Sequence, residues 1–429
     1  MKNEWFSPGM LLSRRALLAV GAAALVLTLF HLRHGVGSTT YVALNAGHGS
    51  LGDVLNATLG FGDILVVGLP SRSDRRDGMT LAAALSDMSI TFVNGVRGEG
   101  VNEKAVPVPE NGQHIKGASL GSWRGHMNAI QDLDMVGGGL AADEPSSYPL
   151  TSPQNRVVRR NLSSALILED DVDWDVRIRQ QLHDFALSSR ALIQPLRRGH
   201  PGHPGQPGRF ADPTYPHPRD GSAGEASHLD FHSLPRTAEP SLTPYGDSWD
   251  VLWLGHCGMS FPFADNPTMA KGRVVRLHDE SVPPKKHLWS LNKPFGLVDE
   301  YPAHTRVVHH AQEGVCSLAY AVSRRGARAM LGELALKPAT DGFDILLRFF
   351  CEGTGGRAKH ECLTVNPTLF SHYRPVGPVA ASSDIGDHGE GYRREAATDM
   401  IRLSTRLNAG VILRGSTDYV DQFAESVPG

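Results

Sequence analysis

Five carboxylates crowd the stretch ALILEDDVDWDV, Ala165 to Val176, where Glu169, Asp170, Asp171, Asp173 and Asp175 follow four apolar residues. A calcium loop starting at Asp171 would need glycine at its sixth position and glutamate at its twelfth, and finds Val176 and Leu182 instead. An aspartyl-phosphate nucleophile would follow its strand directly, whereas Glu169 and Asp170 intervene, and the hydroxyl residue expected two positions later is missing. A solvated strand end, with Asp173 or Asp175 capping the helix VRIRQQLHDF, uses one or two of the acids and leaves the others without a task. Hard oxygen ligands in this density suit Mg²⁺ or Mn²⁺, and such ions commonly neutralise a diphosphate. The chemistry indicated is nucleotide-dependent phosphate chemistry.

Carboxylates of this kind need a rigid scaffold, and the chain supplies alternating elements. ILVVGL, Ile64 to Leu69, is an apolar run stopped by Pro70, the pattern of a buried strand followed by a loop. DRRDGMTLAAAL then predicts a helix and ITFVNGV a second strand. In SWDVLWLG, Trp249, Val251 and Trp253 alternate as in a strand buried on at least one side. CSLAYAVS is another strand, with Ser323 placed to cap the helix SRRGARAMLGELAL, and DGFDILLRFF opens a further helix with Asp341 or Asp344 at its mouth. This order favours an α/β fold with a mostly parallel sheet flanked by helices, whose ligand crevice lies beyond the carboxyl ends of the strands. His126 shares a helical face with Trp123, Met127 and Ile130, so it either packs in a core or faces the crevice. Asp175, on the helix after the acidic block, is expected to face solvent.

The 429 residues allow one or two domains. A formal net charge of −3 without a long Lys/Arg block argues against a nucleic-acid partner. Lys2, Arg14 and Arg15 precede the apolar run ALLAVGAAALVLTLF, which spans roughly 23 Å as a helix. This pattern predicts a short cytoplasmic tail over 1–15, a signal-anchor helix over 16–32 and a Gly-rich stem over 33–60. A cleaved signal peptide reads similarly, but no small-x-small site follows Phe30 immediately. The expected setting is a single-pass type II protein of the Golgi or endoplasmic reticulum membrane, with residues 61–429 lumenal. Sequons at Asn56 and Asn161 agree with that side. Cys257, Cys316, Cys351 and Cys362 have no CxxC spacing, and an even set in an oxidising lumen suggests pairing of Cys351 with Cys362 and of Cys257 with Cys316. Residues 195–247, rich in Pro, Gly and His and without apolar period, predict a disordered insertion. Its histidines, including His200, His203, His217, His228 and His232, could ligate a metal but lack a rigid frame.

From about Ile64 to Asn408, interrupted by that insertion, the chain resembles glycosyltransferase family 25, the lipooligosaccharide and collagen β-galactosyltransferase group, and within it the fungal members. The resemblance rests on motifs in order: VVGLPSRSDRRDGM, LGSWRGHMNAI with its Gly-x-x-x-x-His helix, ALILEDDVDW, WDVLWLGHCG, CSLAYAVSRRGARAML, FDILLRFF and IRLSTRLN. It implies a GT-A nucleotide-diphospho-sugar transferase fold, a UDP-linked donor, a Mn²⁺ or Mg²⁺ cofactor, and transfer with inversion of a sugar such as galactose to a hydroxyl of a glycan or glycoprotein.

Carried over residue by residue, Glu169 and Asp171 match the DxD-like pair, with Asp171 foremost for the metal. Asp170 or Asp173 would contact the ribose or support the metal ligands, so Asp173 also stands as a candidate ligand. Arg72, Arg75 and Arg76 lie just beyond the first strand, where a guanidinium could face uracil or phosphate, although solvated surface arginines read the same way. His126 falls on the family histidine; the family has serine before it, where this chain has Gly125. Asp344 matches the acidic residue of the late helix and is the candidate base, with Asp341 and Glu313 behind it. LFSHYRPVG offers His372 and Arg374 as late groups for the diphosphate. A lumenal protein of GT-A-like fold that has lost catalysis and binds a sugar or partner is the alternative.

Overall fold

The computed structural model describes residues 49–108, 112, 115–134, 162–197, 209–216, 226–384 and 389–425. The tail, the signal-anchor segment, the first part of the stem, the Asn161 sequon and the histidines at 200, 203 and 217 lie outside the described residues. No helix among the described residues is long and apolar enough to cross a membrane.

In chain order the elements are β1 (Asp63–Gly68), α1 (Ser73–Leu85), β2 (Thr91–Asn94), α2 (Gly117–Asp134), β3 (Ser164–Glu169), β4 (Val172–Trp174) and α3 (Ile178–Ile193). There follow β5 (His228–Asp230), β6 (Val251–Gly255), β7 (Gly258–Ser260), β8 (Arg273–Arg276), α4 (Gly296–Glu300), β9 (Arg306–His310), β10 (Gln312–Val315) and β11 (Ala319–Ser323). The remaining elements are α5 (Arg324–Met330), α6 (Phe343–Glu352), β12 (Cys362–Asn366), β13 (Phe370–Arg374), β14 (Gly377–Pro378), β15 (Tyr392–Arg393), β16 (Ala397–Thr398) and α7 (Ala409–Leu413).

A nine-stranded sheet of order β2-β1-β3-β11-β6-β12-β9-β8-β5 forms the centre, with β11 and β9 running against the other strands. The fold is therefore α/β on a mixed, mostly parallel sheet. Side chains alternate across its strands, so one strand feeds two cores. Ile64 and Val66, with Leu166, Leu168, Leu252 and Leu254, pack against α1 and α3. Leu65 and Val67, with Ile167, Val251 and Trp253, pack against α2, α5 and α6. Covering both faces explains why the strands read as continuous apolar runs.

Two expectations about chain segments are corrected. The stem's last part is folded: a 3-10 turn spans Leu51–Leu55, and Val54 and Leu59 are fully buried. Arg179 Nη1 donates to the carbonyls of Leu55 and Asn56, at 2.7 and 2.6 Å. A Gly-rich composition conceals this because the anchors are two isolated apolar side chains and backbone carbonyls, none of which forms a period.

The described parts of the insertion are also packed. β5 adds a parallel edge strand to β8. Asp212, Thr214 and Tyr245 are buried, and Tyr245 stacks on Phe61 with ring centroids 4.6 Å apart. The buried Arg190 of α3 ties both corrected segments together, donating to Pro244 O at 2.6 Å and to Gly49 O at 2.7 Å. These contacts are made by scattered residues rather than a repeating face, which is why composition alone pointed to disorder. Leu229 of β5 packs on the main core. Leu229→Ala is expected to cost about 2 kcal/mol, measured by denaturant unfolding; an unchanged midpoint would mean that the edge strand adds nothing.

The cysteines pair as expected, Cys257 with Cys316 and Cys351 with Cys362. The first bond joins the turn after β6 to the end of β10, and the second joins α6 to β12.

Candidate functional site

A cleft of about 480 Å³ opens where β1 and β3 end. Its walls come from the first strand's end, the loop after β2, the first half of α2, the Cys316–Leu318 segment, the start of α6, His372 and Asp384. Its floor is the acidic turn between β3 and β4. Gly68 closes β1 directly beneath that turn, and a Cβ there would lie 2.2 Å from Asp170 Oδ2, so the carboxylate can sit over the strand end only because the residue is glycine. Gly125 is likewise close-packed: a Cβ would meet Val67 Cγ1 at 3.0 Å, which leaves little room for a side chain.

The turn divides the five acids. Glu169, Asp170 and Asp171 line the cleft, whereas Asp173 and Asp175 point away from it into the C-terminal segment. Asp173 is fully buried and accepts hydrogen bonds from Trp174 N (2.8 Å), Arg406 N (3.3 Å), Thr398 Oγ1 (2.7 Å) and Ser404 Oγ. This corrects its expected role as a metal ligand, since its oxygens are committed to holding the chain. Asp175 is buried too, not facing solvent, and accepts from Arg177 Nε at 2.7 Å and Leu403 N at 3.1 Å. The tight reversal at Asp170–Asp171 resets the alternation, which no periodicity count across it could anticipate.

Among the three cleft acids, each oxygen set differs. Glu169 Oε1 accepts from Ser317 Oγ at 2.7 Å and lies 3.7 Å from His126 Nε2. Burial works to raise the Glu169 carboxyl, but His126, then Ser317 and His372, hold it below the usual carboxylate range. For Asp170, burial wins and pushes the carboxyl up to about 6; Arg75 opposes the rise while Asp171 and Glu169 add to it. Asp171 Oδ2 lies 3.1 Å from Arg75 Nη2, and its buried Oδ1 has no hydrogen-bond partner among the described residues.

The three arginines separate. Arg75 lines the cleft, with Nη1 2.6 Å from Asp170 Oδ1 and 4.0 Å from Asp384 Oδ2. Arg72 pairs with Asp74 at 2.8 Å and with Asp384. Arg76 turns to Asn94 and Gly68 O and lies over Phe92, off the cleft.

His126 satisfies both readings of its face. It is buried, stacked on Phe343 with centroids 4.1 Å apart, and its Nδ1 is 2.9 Å from Tyr320 Oη, while Nε2 looks toward Glu169. It lines the cleft and reaches Glu169 rather than open space. Asp344, in the first turn of α6, lines the opposite part; its Oδ2 accepts from Cys316 N at 2.9 Å. Asp341 bonds Thr340 and is not among the lining residues. Glu313 accepts from Ser260 Oγ at 2.8 Å and lies 3.4 Å from Arg348, also off the lining. His372 is brought to the acidic turn by β13, which pairs antiparallel with β4, and its Nδ1 is 3.9 Å from Cys257 Sγ. Arg374, on the same strand, faces Asp399 at 3.4 Å and not the cleft.

Sequence reasoning missed Ser317, Tyr320, Asp384 and Arg406. Ser317 and Tyr320 flank the start of a strand already recognised, so a signal existed for them. Asp384 sits in an aperiodic segment and carries none. Arg406, within IRLSTRLN, donates to Asp170 O at 3.3 Å and lies over Tyr373.

Among the described residues no group of three or more His, Cys, Asp or Glu side chains is arranged to hold a metal ion. A Mg²⁺ or Mn²⁺ that works on a phosphate usually takes only one or two protein carboxylates and completes its shell with water and the substrate's phosphate oxygens. The unpartnered Asp171 Oδ1, in a cleft that Glu169 also lines, fits that smaller donor set. Comparison of the chain with models of known families and with curated proteins returns no match.

Proposed function

We propose that the chain is a metal-dependent glycosyltransferase of GT-A fold, similar to family 25, that moves a sugar from a UDP-sugar to a hydroxyl of a glycan or glycoprotein with inversion. The observation that carries this reading is the convergence in one cleft of three strand-end carboxylates, the Arg75 guanidinium and, on a separate helix, Asp344. A donor diphosphate needs positive charge and an acceptor hydroxyl needs a base, and the cleft offers groups for both. The paired cysteines suit the lumenal, membrane-anchored setting expected for such an enzyme.

Asp171, with Glu169, would hold the divalent ion, which supplies Lewis-acid charge at the leaving diphosphate. Arg75 binds diphosphate oxygens through its planar fork. Against the effect of burial, His126 and Ser317 hold the Glu169 carboxyl below the usual carboxylate range. Asp344 uses Oδ2 to accept the Cys316 N–H; its other oxygen, Oδ1, would serve the acceptor hydroxyl. As the acceptor oxygen bonds to the anomeric carbon, its proton passes to Asp344 and the carbon–oxygen bond to the diphosphate breaks, releasing the nucleotide. Attack from the side away from the diphosphate gives inversion.

Incubating the chain with a panel of nucleotide sugars, with Mn²⁺ or with chelator, tests this directly. Metal-dependent release of nucleotide from a UDP-sugar is expected, together with protection by UDP against thermal unfolding. Absence of both would overturn the assignment. Protection without release would favour the binding protein that has lost catalysis.

A further inference from the structure

Arg75 already pairs with the carboxylate foremost for the metal ion, and this inference rests on the glycosyltransferase reading above. Its guanidinium bridges the two carboxylates of the turn, Nη1 to Asp170 Oδ1 at 2.6 Å and Nη2 to Asp171 Oδ2 at 3.1 Å. The side chain is 13% exposed and lines the cleft. A second anion lies within its reach, since Nη1 is 4.0 Å from Asp384 Oδ2, and Asp384 is itself held by Arg72.

A divalent ion arriving alone meets carboxylates already paired with a guanidinium. It must share Asp171 with a largely enclosed guanidinium, and like charges at close range repel strongly in a site of reduced dielectric. It also finds too few protein ligands, as no group of three metal-binding side chains occurs among the described residues. An ion that arrives with a diphosphate faces neither obstacle. The phosphate oxygens complete its shell, and they give the displaced guanidinium an anion to bind. The diphosphate arriving alone meets the converse problem, because the guanidinium it needs is engaged by two carboxylates.

We propose that Arg75 is a resident counter-cation that exchanges between the Asp170–Asp171 carboxylates and the donor's diphosphate, so that metal and nucleotide bind together much more tightly than either binds alone. Coupling of this kind is reciprocal: whatever factor the nucleotide gains from metal, the metal gains from nucleotide. Arg75 is thus a binding residue whose position reports whether the metal site is filled.

The test is titration of the full chain with Mn²⁺, followed by the magnetic resonance signal of the free ion, with and without saturating UDP. The parental chain should bind Mn²⁺ at least ~10-fold more tightly when UDP is present, within the usual span of such couplings. In Arg75→Gln, Mn²⁺ alone should bind more tightly than to the parental chain, and UDP should improve it by less than about 3-fold. Arg75→Lys, which keeps the charge but not the two-pronged bridge, should fall between them and serves if the glutamine variant does not fold. Coupling undiminished in both variants would overturn the proposal while leaving the glycosyltransferase reading intact. So would independent binding of Mn²⁺ and UDP by the parental chain, a result that needs no variant. If the parental chain binds neither and releases nucleotide from no sugar donor, the reading itself falls and takes the proposal with it.

Discussion

Replacing Asp171 with Asn is expected to lower metal-dependent nucleotide release by at least ~100-fold, as when a transition-state charge loses its stabiliser. The substitution keeps size and shape but removes one formal charge from an oxygen pair of which Oδ1 has no other partner among the described residues. The fold should survive with a loss of about 1–2 kcal/mol, because Oδ1 gives up no hydrogen bond and an amide oxygen can still accept from Arg75 Nη2, whose pairing with Asp170 remains. Asp173 supplies the contrast. It sits two residues away, yet its oxygens bind Trp174, Arg406, Thr398 and Ser404, so Asp173→Ala should cost at least ~2 kcal/mol by stranding buried donors. Mn²⁺ and UDP should still bind the folded fraction of that variant. Parental release rates in Asp171→Asn would sink the placement of the metal, and weakened Mn²⁺ binding confined to Asp173→Ala would move it to the other side of the turn.

The comparison of those two aspartates also shows what a sequence can and cannot disclose here. The apolar run of β3 and the burst of acids after it are local, and they point to a strand end carrying negative charge without any knowledge of the rest. The central strands were legible for the same reason: ILVVGL and SWDVLWLG are continuous or alternating runs bounded by loop residues. Which acids face the cleft was not legible. That depends on a two-residue reversal and on Thr398 and Ser404, which lie more than two hundred positions away in sequence. Arg75 could be named as a phosphate candidate from its place after the first strand, whereas its bridge to Asp170 and Asp171 spans 95 residues and appears only in the folded chain. The packed parts of the insertion were missed because Leu229 and Tyr245 act singly. A buried side chain without periodic companions leaves no pattern to count.

Removing the Cys257–Cys316 bond is expected to damage both stability and the site, and removing Cys351–Cys362 only stability. All four thiols should resist alkylation in the denatured chain until a reductant is added. The bonds close loops of 59 and 11 residues in sequence separation, so the chain-entropy cost of losing them is about 4 and about 3 kcal/mol respectively. The difference between the two in free energy is small; the difference in position is not. Cys316 lines the cleft, adopts a left-handed backbone with φ of 64°, and donates its N–H to Asp344 Oδ2 at 2.9 Å. Cys257, at the other end of the bond, lies against His372. A non-glycine residue keeps such a backbone only when its surroundings hold it there, and the bond to Cys257 is part of that hold. Released, the Cys316 backbone can relax and take the aspartate's anchoring donor with it. At a temperature where both double variants are folded, Cys257→Ala/Cys316→Ala should therefore release nucleotide at least ~10-fold more slowly than the parental chain, as misplacement of a reacting group by about 1 Å commonly does. Cys351→Ala/Cys362→Ala should turn over at close to the parental rate there. Equal rates in the two folded variants would show that the Cys257–Cys316 bond is only a tether, and that Asp344 is held in place by the start of α6 alone.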